Sequence, residues 1–205
     1  MPSPVPVHAG PIQERKLLQR LLQGDEAAYG DLVARYEKPL VNFIFRYVGN
    51  RTVAEDLFQE TFFRMMRSLD SYRPRAGFGT WLFTIARNLS LDYLKMQRRH
   101  REVSLDAPSI GASEEGDHRD VLPAAEATAD EALEHREDQD RVGAALHRLP
   151  PKLRETLLLR VYHELPYRDI ARITRAPVGT AKYRVHEALH ALARLMGVEK
   201  PRSDI

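Results

Sequence analysis

The chain has 205 residues, no cysteine and a formal net charge of +2. Without cysteine it cannot form disulfides or thiolate metal sites, and no apolar run approaches the roughly 20 residues of a membrane span. The charge is unevenly distributed, because residues 11–101 carry +6, residues 102–140 carry −11 and residues 141–205 carry +7. Two basic modules joined by an acidic segment predict a cytoplasmic protein whose two ends bind a polyanion.

The N-terminal third predicts three helices. The first is short and amphipathic, over residues 12–22. Asp25 can cap the second, in which Pro39 is expected to kink or divide the helix. The apolar stripe of that helix consists of Ala28, Leu32, Tyr36, Leu40, Phe43 and Tyr47. A capping box formed by Thr52 and Glu55 predicts the start of the third helix.

Residues 71–101 combine a loop that contains arginine and glycine, a helix that opens on an aromatic residue, and a basic end. Thr80 can cap this helix. Its apolar face consists of Trp81, Leu82, Ile85, Leu89 and Met96. Its remaining surface carries Arg87, Asn88, Lys95, Arg98 and Arg99. Such a helix either lies on nucleic acid or is merely solvated, and these residues alone leave both interpretations open.

Residues 103–130 are rich in serine, alanine, glycine, proline and acids. That composition cannot bury enough apolar area to offset chain entropy, so it predicts a flexible acidic linker. Beyond it the pattern predicts four helices, over residues 131–149, 152–163, 168–174 and 178–195. Because no segment alternates with period two, we expect an all-α fold of two small helical domains joined by this linker.

The last two predicted helices flank a tight turn at residues 175–177. One face of the second helix is apolar and consists of Ala181, Val185, Ala188, Leu189, Leu192 and Leu195. The opposite face carries Gly179, Lys182, Tyr183, His186, Glu187 and His190. A helix pair with a donor-bearing second helix is either a DNA-reading helix-turn-helix or an ordinary helical hairpin, and the basic charge of this module favours DNA.

Four segments resemble, in order, those of bacterial sigma factors of the extracytoplasmic-function (ECF) subgroup. AEDLFQETFFRMM resembles the polymerase-binding helix of that family, and GFGTWLFTIARNLSLDYLKMQRR resembles its helix for melting and reading the −10 element. LPPKLRETLLLRVYHELPYRDIARI and PVGTAKYRVHEAL are similar to the promoter-reading helix-turn-helix and the helices before it. The acidic segment stands in place of the middle domain of larger sigma factors.

The resemblance implies a domain organisation. The implied parts are a disordered lead over 1–11, sigma region 2 over 12–101, the acidic linker over 102–136, sigma region 4 over 137–197 and a tail over 198–205. The implied function is to bind core RNA polymerase, direct it to specific promoters and help melt the −10 region. The implied partners are therefore core polymerase and promoter DNA, and no cofactor is expected. These residues do not show whether an anti-sigma factor holds the chain inactive.

One face of the third helix has residues spaced at i, i+3, i+4 and i+7, namely Asp56, Gln59, Glu60 and Phe63. Acids beside an exposed aromatic suit a basic protein partner, although a solvated acidic face has the same pattern. The resemblance implies that this face binds the clamp coiled coil of the largest polymerase subunit.

The loop before the fourth helix carries the groups that hold single-stranded bases by stacking and charge, namely Tyr72, Arg73, Arg75 and Phe78. The resemblance implies that this loop and Asn88 form a pocket for a flipped −10 base. The predicted phosphate contacts are Arg87, Lys95, Arg98 and Arg99. Trp81 is either a core residue or a wedge against the last base pair. Leu82 stands where larger sigma factors have a second tryptophan, which implies weaker melting.

The predicted −35 contacts are Thr180, Lys182, Tyr183, Arg184, His186 and Glu187. Three positions depart from the family pattern, one of which is Tyr183 in place of a usual small polar residue. Arg175 occupies a turn position where glycine is usual, and a left-handed backbone there costs a non-glycine residue about 1 kcal/mol. Glu187 replaces a usual arginine. Because a carboxylate can only accept hydrogen bonds, for instance from cytosine N4, we expect an altered −35 preference at that base.

Two rival interpretations remain. HEALH, over residues 186–190, matches the zinc-protease pattern H-E-x-x-H, in which two histidines hold zinc and the glutamate is the general base. No further ligand stands at the family spacings and no strand is predicted to align a peptide, so we expect no catalysis. The second rival is a stand-alone helix-turn-helix regulator that never contacts polymerase. The acidic face of the third helix favours the sigma factor over that regulator.

Overall fold

The computed structural model describes residues 11–72, 77–105 and 140–198. Its elements are α1 (Pro11–Leu22), α2 (Glu26–Val48), α3 (Arg51–Ser68), a 3-10 turn (Leu69–Ser71), α4 (Phe78–Leu105), α5 (140–148), α6 (Pro151–Val161), α7 (Tyr167–Thr174) and α8 (Val178–Met196). No strand occurs in these residues, and the all-α prediction is confirmed. Arg73, Arg75 and residues 106–136 of the predicted linker lie outside the described residues, whereas residues 102–105, also predicted as linker, form the end of α4.

Helix α2 is the central element of the N-terminal half. The Asp25 carboxylate caps it and accepts the Ala27 N–H at 2.9 Å, as predicted. Pro39 lies inside the helix and does not divide it. All six residues of the predicted apolar stripe are buried. On the way to α3, Gly49 adopts a positive φ of 86°, which ends α2 and turns the chain.

The predicted starts of α3 and α4 are wrong by two and three residues, respectively. Asn50 caps α3, because its side-chain oxygen accepts the Val53 N–H at 3.0 Å, whereas Thr52 lies inside the helix. Helix α4 begins at Phe78, so Thr80 is an internal residue rather than the cap. Met96, predicted on the apolar face of α4, is half-exposed.

Helices α7 and α8 form the predicted helix-turn-helix. Ala181, Val185 and Ala188 of α8 are buried, and α8 packs on α6 and α7. Arg175 ends α7 in the left-handed region, with φ 50° and ψ 48°. Its N–H bonds back to carbonyls of the last turn of α7, so the turn keeps its geometry at a cost of about 1–2 kcal/mol for a residue with a Cβ.

The two halves pack on each other around one hydrophobic core. The central contact is His163, whose ring lies 5.9 Å from Phe43 of α2 and 4.9 Å from Phe83 of α4, centroid to centroid. Helix α2 contacts α6, and α4 contacts α7. The C-terminal half therefore lies against the helices that carry the predicted −10 residues.

Candidate functional site

The outward face of α3 is open to solvent. Asp56, Gln59 and Phe63 are exposed, and the Phe63 side chain is 56% accessible although it is one of the larger apolar side chains. Glu60 accepts a hydrogen bond from Arg64 Nε at 2.7 Å within the helix. All four predicted polymerase-binding residues therefore lie on one surface. An exposed phenylalanine beside carboxylates is typical of a protein-binding face.

Three aromatic rings cluster where α4 begins. Tyr72 lies 4.6 Å from Trp81 and 6.0 Å from Phe78, between ring centroids. Burial, and then the charge of Glu14, raise the pKa of Tyr72, so its hydroxyl remains a proton donor. Trp81 is partly exposed, so it packs on the core and still presents an edge to solvent.

Phe78 does not match its predicted role in this arrangement. It is 1% exposed and its ring packs 5.5 Å from that of Tyr36, so it cannot stack on a DNA base. Tyr36 in turn donates a hydrogen bond to the buried Glu14 of α1. Phe78 therefore anchors the start of α4 to α2, and the only described aromatic rings of the loop that reach the surface are those of Tyr72 and Trp81.

The basic surface of α4 divides into two groups. Lys95, Arg98 and Arg99 are exposed, and Lys95 lies 3.2 Å from Asp92. Arg87 is buried instead, and its guanidinium binds both oxygens of Glu155, at 2.7 Å from Nε and 3.1 Å from Nη2. Asn88 is partly buried. In this arrangement, therefore, Arg87 cannot reach a phosphate.

The outer face of α8 presents donors and one carboxylate. Its predicted residues Lys182, Tyr183 and His186 are exposed, and Thr180, Arg184 and Glu187 are partly exposed. The Glu187 carboxylate lies 3.8 Å from Arg194, a loose contact that leaves it able to accept from a base. All six predicted −35 residues thus lie on α8, which a helix-turn-helix presents to the major groove.

The two histidines of HEALH face each other. The Nε2 atoms of His186 and His190 are 3.0 Å apart on the exposed side of α8. No group of three or more potential ligands surrounds them in the part of the chain that the structure describes. A catalytic zinc uses three protein ligands and an open position, so the described residues do not complete the protease site.

The sequence interpretation missed the charged residues buried between the halves. Glu155 accepts bonds from Arg87 and from the Tyr47 hydroxyl, the latter at 3.2 Å. Arg154 donates to the carbonyls of Tyr47 and His147, both at 2.8 Å. The available signal was a pair of adjacent opposite charges between Leu153 and the apolar run of residues 157–159 in α6, since such residues are buried only when they are paired.

The fold defines a protein of the helix-turn-helix class, with a second exposed face of acidic and aromatic side chains on α3. Residues 32–100 match the family model for Sigma-70 region 2, and residues 139–192 match that for Sigma-70, region 4. The chain is 32% identical to the RNA polymerase sigma-H factor of Pseudomonas aeruginosa over 185 residues, which are 90% of this chain and 94% of that protein. It belongs to the ECF subgroup of the sigma-70 family.

Two further relatives agree with this assignment. The ECF RNA polymerase sigma-E factor of Haemophilus influenzae is 34% identical over 179 residues, which are 86% of this chain and 92% of that protein. The sigma factor RpoE of Bartonella quintana, solved in complex with the anti-sigma factor NepR, is 27% identical with a TM-score of 0.63. The match covers 84% of this chain and 98% of that one.

Family membership defines the activity at the level of the whole chain. It is a transcription initiation factor that binds core RNA polymerase and directs it to promoter DNA. Sigma factors as a class are non-catalytic. None of the described helices combines the length and apolar character required to cross a membrane.

Proposed function

We propose that three surfaces of this chain make separate contacts during transcription initiation. The α3 face from Asp56 to Phe63 binds the clamp coiled coil of the largest polymerase subunit. The start of α4 and its basic surface melt and hold the −10 element, and the outer face of α8 reads the −35 element. The observation that carries this proposal is the exposure of the α3 face, because a stand-alone DNA regulator has no use for an exposed phenylalanine among carboxylates.

The α3 face is tested by reversing one charge. We expect Asp56→Arg and Gln59→Ala to weaken pull-down of core polymerase at least tenfold, since each removes a polar contact in the middle of the patch. Glu37→Arg is the matched control, because Glu37 is an exposed acid on α2 outside this surface. If core polymerase binds Asp56→Arg as well as it binds the natural chain, the assignment of this face is wrong.

Run-off transcription with core polymerase separates the sigma factor from the stand-alone regulator. The expected result is a discrete transcript from a promoter template that core enzyme alone does not use. Promoters can be obtained by mapping transcript 5′ ends after overexpression. Binding of the same template without any effect on core polymerase would favour the regulator.

The −10 assignment rests on the ring cluster and the exposed cations of α4. The partly exposed edge of Trp81, backed by Tyr72, supports a surface against which the last base pair can rest. Asn88 lies about two turns further along α4, and Lys95, Arg98 and Arg99 follow it as phosphate contacts. Because Phe78 is buried, Tyr72 is the described aromatic residue of the loop to which we assign stacking on an unpaired base.

The −35 assignment predicts a change of base preference. Glu187 is half-exposed on α8 and can accept from cytosine N4, whereas arginine pairs with guanine O6 and N7. Glu187→Arg should therefore move the preferred base at one −35 position, with a discrimination of about 1–3 kcal/mol between bases. Selection from a randomised promoter library measures this. An unchanged −35 preference would show that Glu187 does not read a base.

Several whole-chain properties follow from the same proposal. Region 2 spans residues 12–101, region 4 spans residues 137–197, and the segment between them links the two on the polymerase. The chain works in the cytoplasm and performs no catalysis itself. The complex of the Bartonella relative with an anti-sigma factor supports an inhibitory protein partner for this chain too.

A further inference from the structure

Two histidine rings converge on the outer face of α8. His186 and His190 are four residues apart, about one helical turn, and their Nε2 atoms are 3.0 Å from each other. The ring centroids are farther apart, at 4.3 Å, so the tips of the rings approach one another more closely than their centres do. His186 is exposed and His190 is partly exposed, whereas the buried residues of α8 are Ala181, Val185 and Ala188. The pair therefore lies outside the core.

This spacing occurs once in the chain. The sequence has eight histidines, and the other six lie at least 12 residues from one another and from this pair. Neutral imidazole is the commonest metal ligand in proteins, and the positions i and i+4 of a helix lie on the same face. When one imidazole binds an ion, the second binds it within the same molecule, which raises the affinity of the pair above that of either ring.

The separation of the two Nε2 atoms indicates which coordination geometry the pair fits. With metal–nitrogen bonds of about 2.0–2.1 Å, nitrogens 3.0 Å apart subtend an angle of about 95° at the metal. Tetrahedral zinc, with an angle of about 109°, would place them about 3.3 Å apart. An angle near 90° joins adjacent positions of a square-planar or tetragonal site, which is typical of Cu²⁺ and Ni²⁺. The pair fits these two ions better than it fits zinc.

The cations next to the pair have other partners. Lys182 and Arg194 lie on α8 one turn before and one turn after the two histidines. The Lys182 Nζ lies 5.8 Å from the ring centroid of Tyr167, and the Arg194 Nη2 lies 3.8 Å from a carboxylate oxygen of Glu187. Each cation is thus drawn toward another group, and the Glu187 carboxylate offsets part of the positive charge near the rings. A bound cation is therefore compatible with this part of α8.

We propose that His186 and His190 bind a divalent transition-metal ion, Ni²⁺ or Cu²⁺, on the face of α8 that is assigned to the −35 element. No third histidine, cysteine, aspartate or glutamate completes a larger ligand group in the part of the chain that the structure describes. The ion is held by two imidazoles, and water fills its other positions. The site is a binding site on the surface of the helix and not a hydrolase centre.

The water-filled positions of the ion face away from α8, because both histidines lie on its solvent side. A purine N7 in the major groove or a phosphate oxygen can replace that water, since these ions accept both nitrogen and oxygen ligands. The ion also adds positive charge to a surface that faces a polyanion. We expect the bound ion to strengthen binding of the −35 element, and this second step rests on the proposed function of α8.

The first experiment measures the site without DNA. The chain, made without a histidine tag, is titrated with Ni²⁺ in a calorimeter. His186→Gln and His190→Gln each remove one of the two ligands, so each should weaken the strongest Ni²⁺ site by about tenfold or more. His100→Gln is the matched control, because it removes a single exposed histidine from α4, and it should leave that site unchanged.

Electron paramagnetic resonance with Cu²⁺ identifies the ligands directly. The spectrum of the natural chain with one equivalent of Cu²⁺ should show coupling to two imidazole nitrogens, and either glutamine variant should lose this pattern. If His186→Gln or His190→Gln binds Ni²⁺ as tightly as the natural chain does, the metal site is wrong, and the two rings only form a hydrogen bond with each other.

The second experiment measures the effect of the ion on DNA binding. Holoenzyme assembled with core polymerase binds a promoter duplex, obtained from mapped transcript 5′ ends, with and without saturating Ni²⁺. The ion should raise the promoter affinity of the natural holoenzyme by about fivefold or more. Holoenzyme with His190→Gln contains the same core polymerase and keeps all the assigned −35 contacts, and its promoter affinity should not respond to Ni²⁺.

The outcomes separate the metal site from the function of α8. If Ni²⁺ binds the natural chain but changes the promoter affinity of both holoenzymes equally, the ion does not contact DNA and the second step is wrong. If neither holoenzyme binds the promoter at any Ni²⁺ concentration, the proposed function fails, whereas the metal site, which is measured without DNA, stands.

Discussion

Phe43→Ala is expected to cost about 3–5 kcal/mol in the free energy of unfolding, a large share of the total for a protein of this size. Phe43 is fully buried on α2 and contacts rings from both halves, namely Tyr47, Phe83 and His163. Its removal leaves a cavity at the point where the halves meet. The loss should be measured as a lower midpoint in chemical denaturation followed by helical circular dichroism.

Phe63→Ala is the matched control for this prediction, because it removes the same side chain from an exposed position of α3. Its effect on the free energy of unfolding should stay within about 0.5 kcal/mol. Its effect on core polymerase should be the larger one, since Phe63 lies on the proposed docking face. Equal losses of stability for the two variants would contradict the buried contact between the halves.

The features that depend on nearby residues were predictable from sequence. The Asp25 cap, the buried stripe of α2 and the helix-turn-helix follow from spacing and capping chemistry within a few residues. The errors in the predicted helix starts also concern neighbouring residues. Asn50 and Thr52 are both good caps, and Asn50 is the one used because Gly49 turns the chain immediately before it.

Features that depend on distant partners were not predictable. Arg87 and Glu155 are 68 residues apart, and the pattern of α4 is the same whether the guanidinium binds a phosphate or a carboxylate. Phe78 is predicted to stack on bases because it lies in a loop with glycines and arginines. Its burial depends on the ring of Tyr36, which packs against it from another helix. The amino-acid sequence thus shows which groups a side chain can bind, but it does not show which distant residue the side chain contacts.

Acidification between pH 7 and pH 5 should weaken the packing of the two halves through His163. Its ring lies between Phe43 and Phe83, and its buried Nε2 has no hydrogen-bond partner among the described residues. Burial, and then the charge of Arg46, lower the pKa of His163 from 6.5 to about 3. The packed form therefore holds a neutral imidazole, whereas an unfolded or separated chain takes up a proton at its ordinary pKa.

The lowered pKa of His163 determines how the stability changes with pH. Above pH 6.5 His163 is neutral in both the packed and the unpacked chain, so the full stability is present. Between pH 6.5 and about 3 only the unpacked chain binds a proton at His163, so the stability of the packed chain falls as the pH falls. At pH 5 the loss amounts to about 2 kcal/mol. Denaturation midpoints of the natural chain and of His163→Gln, measured at pH 7 and pH 5, isolate this proton, because the other histidines are common to both. His163→Gln should show a smaller loss on acidification, and an equal loss in the two proteins would mean that His163 is not held neutral between the halves.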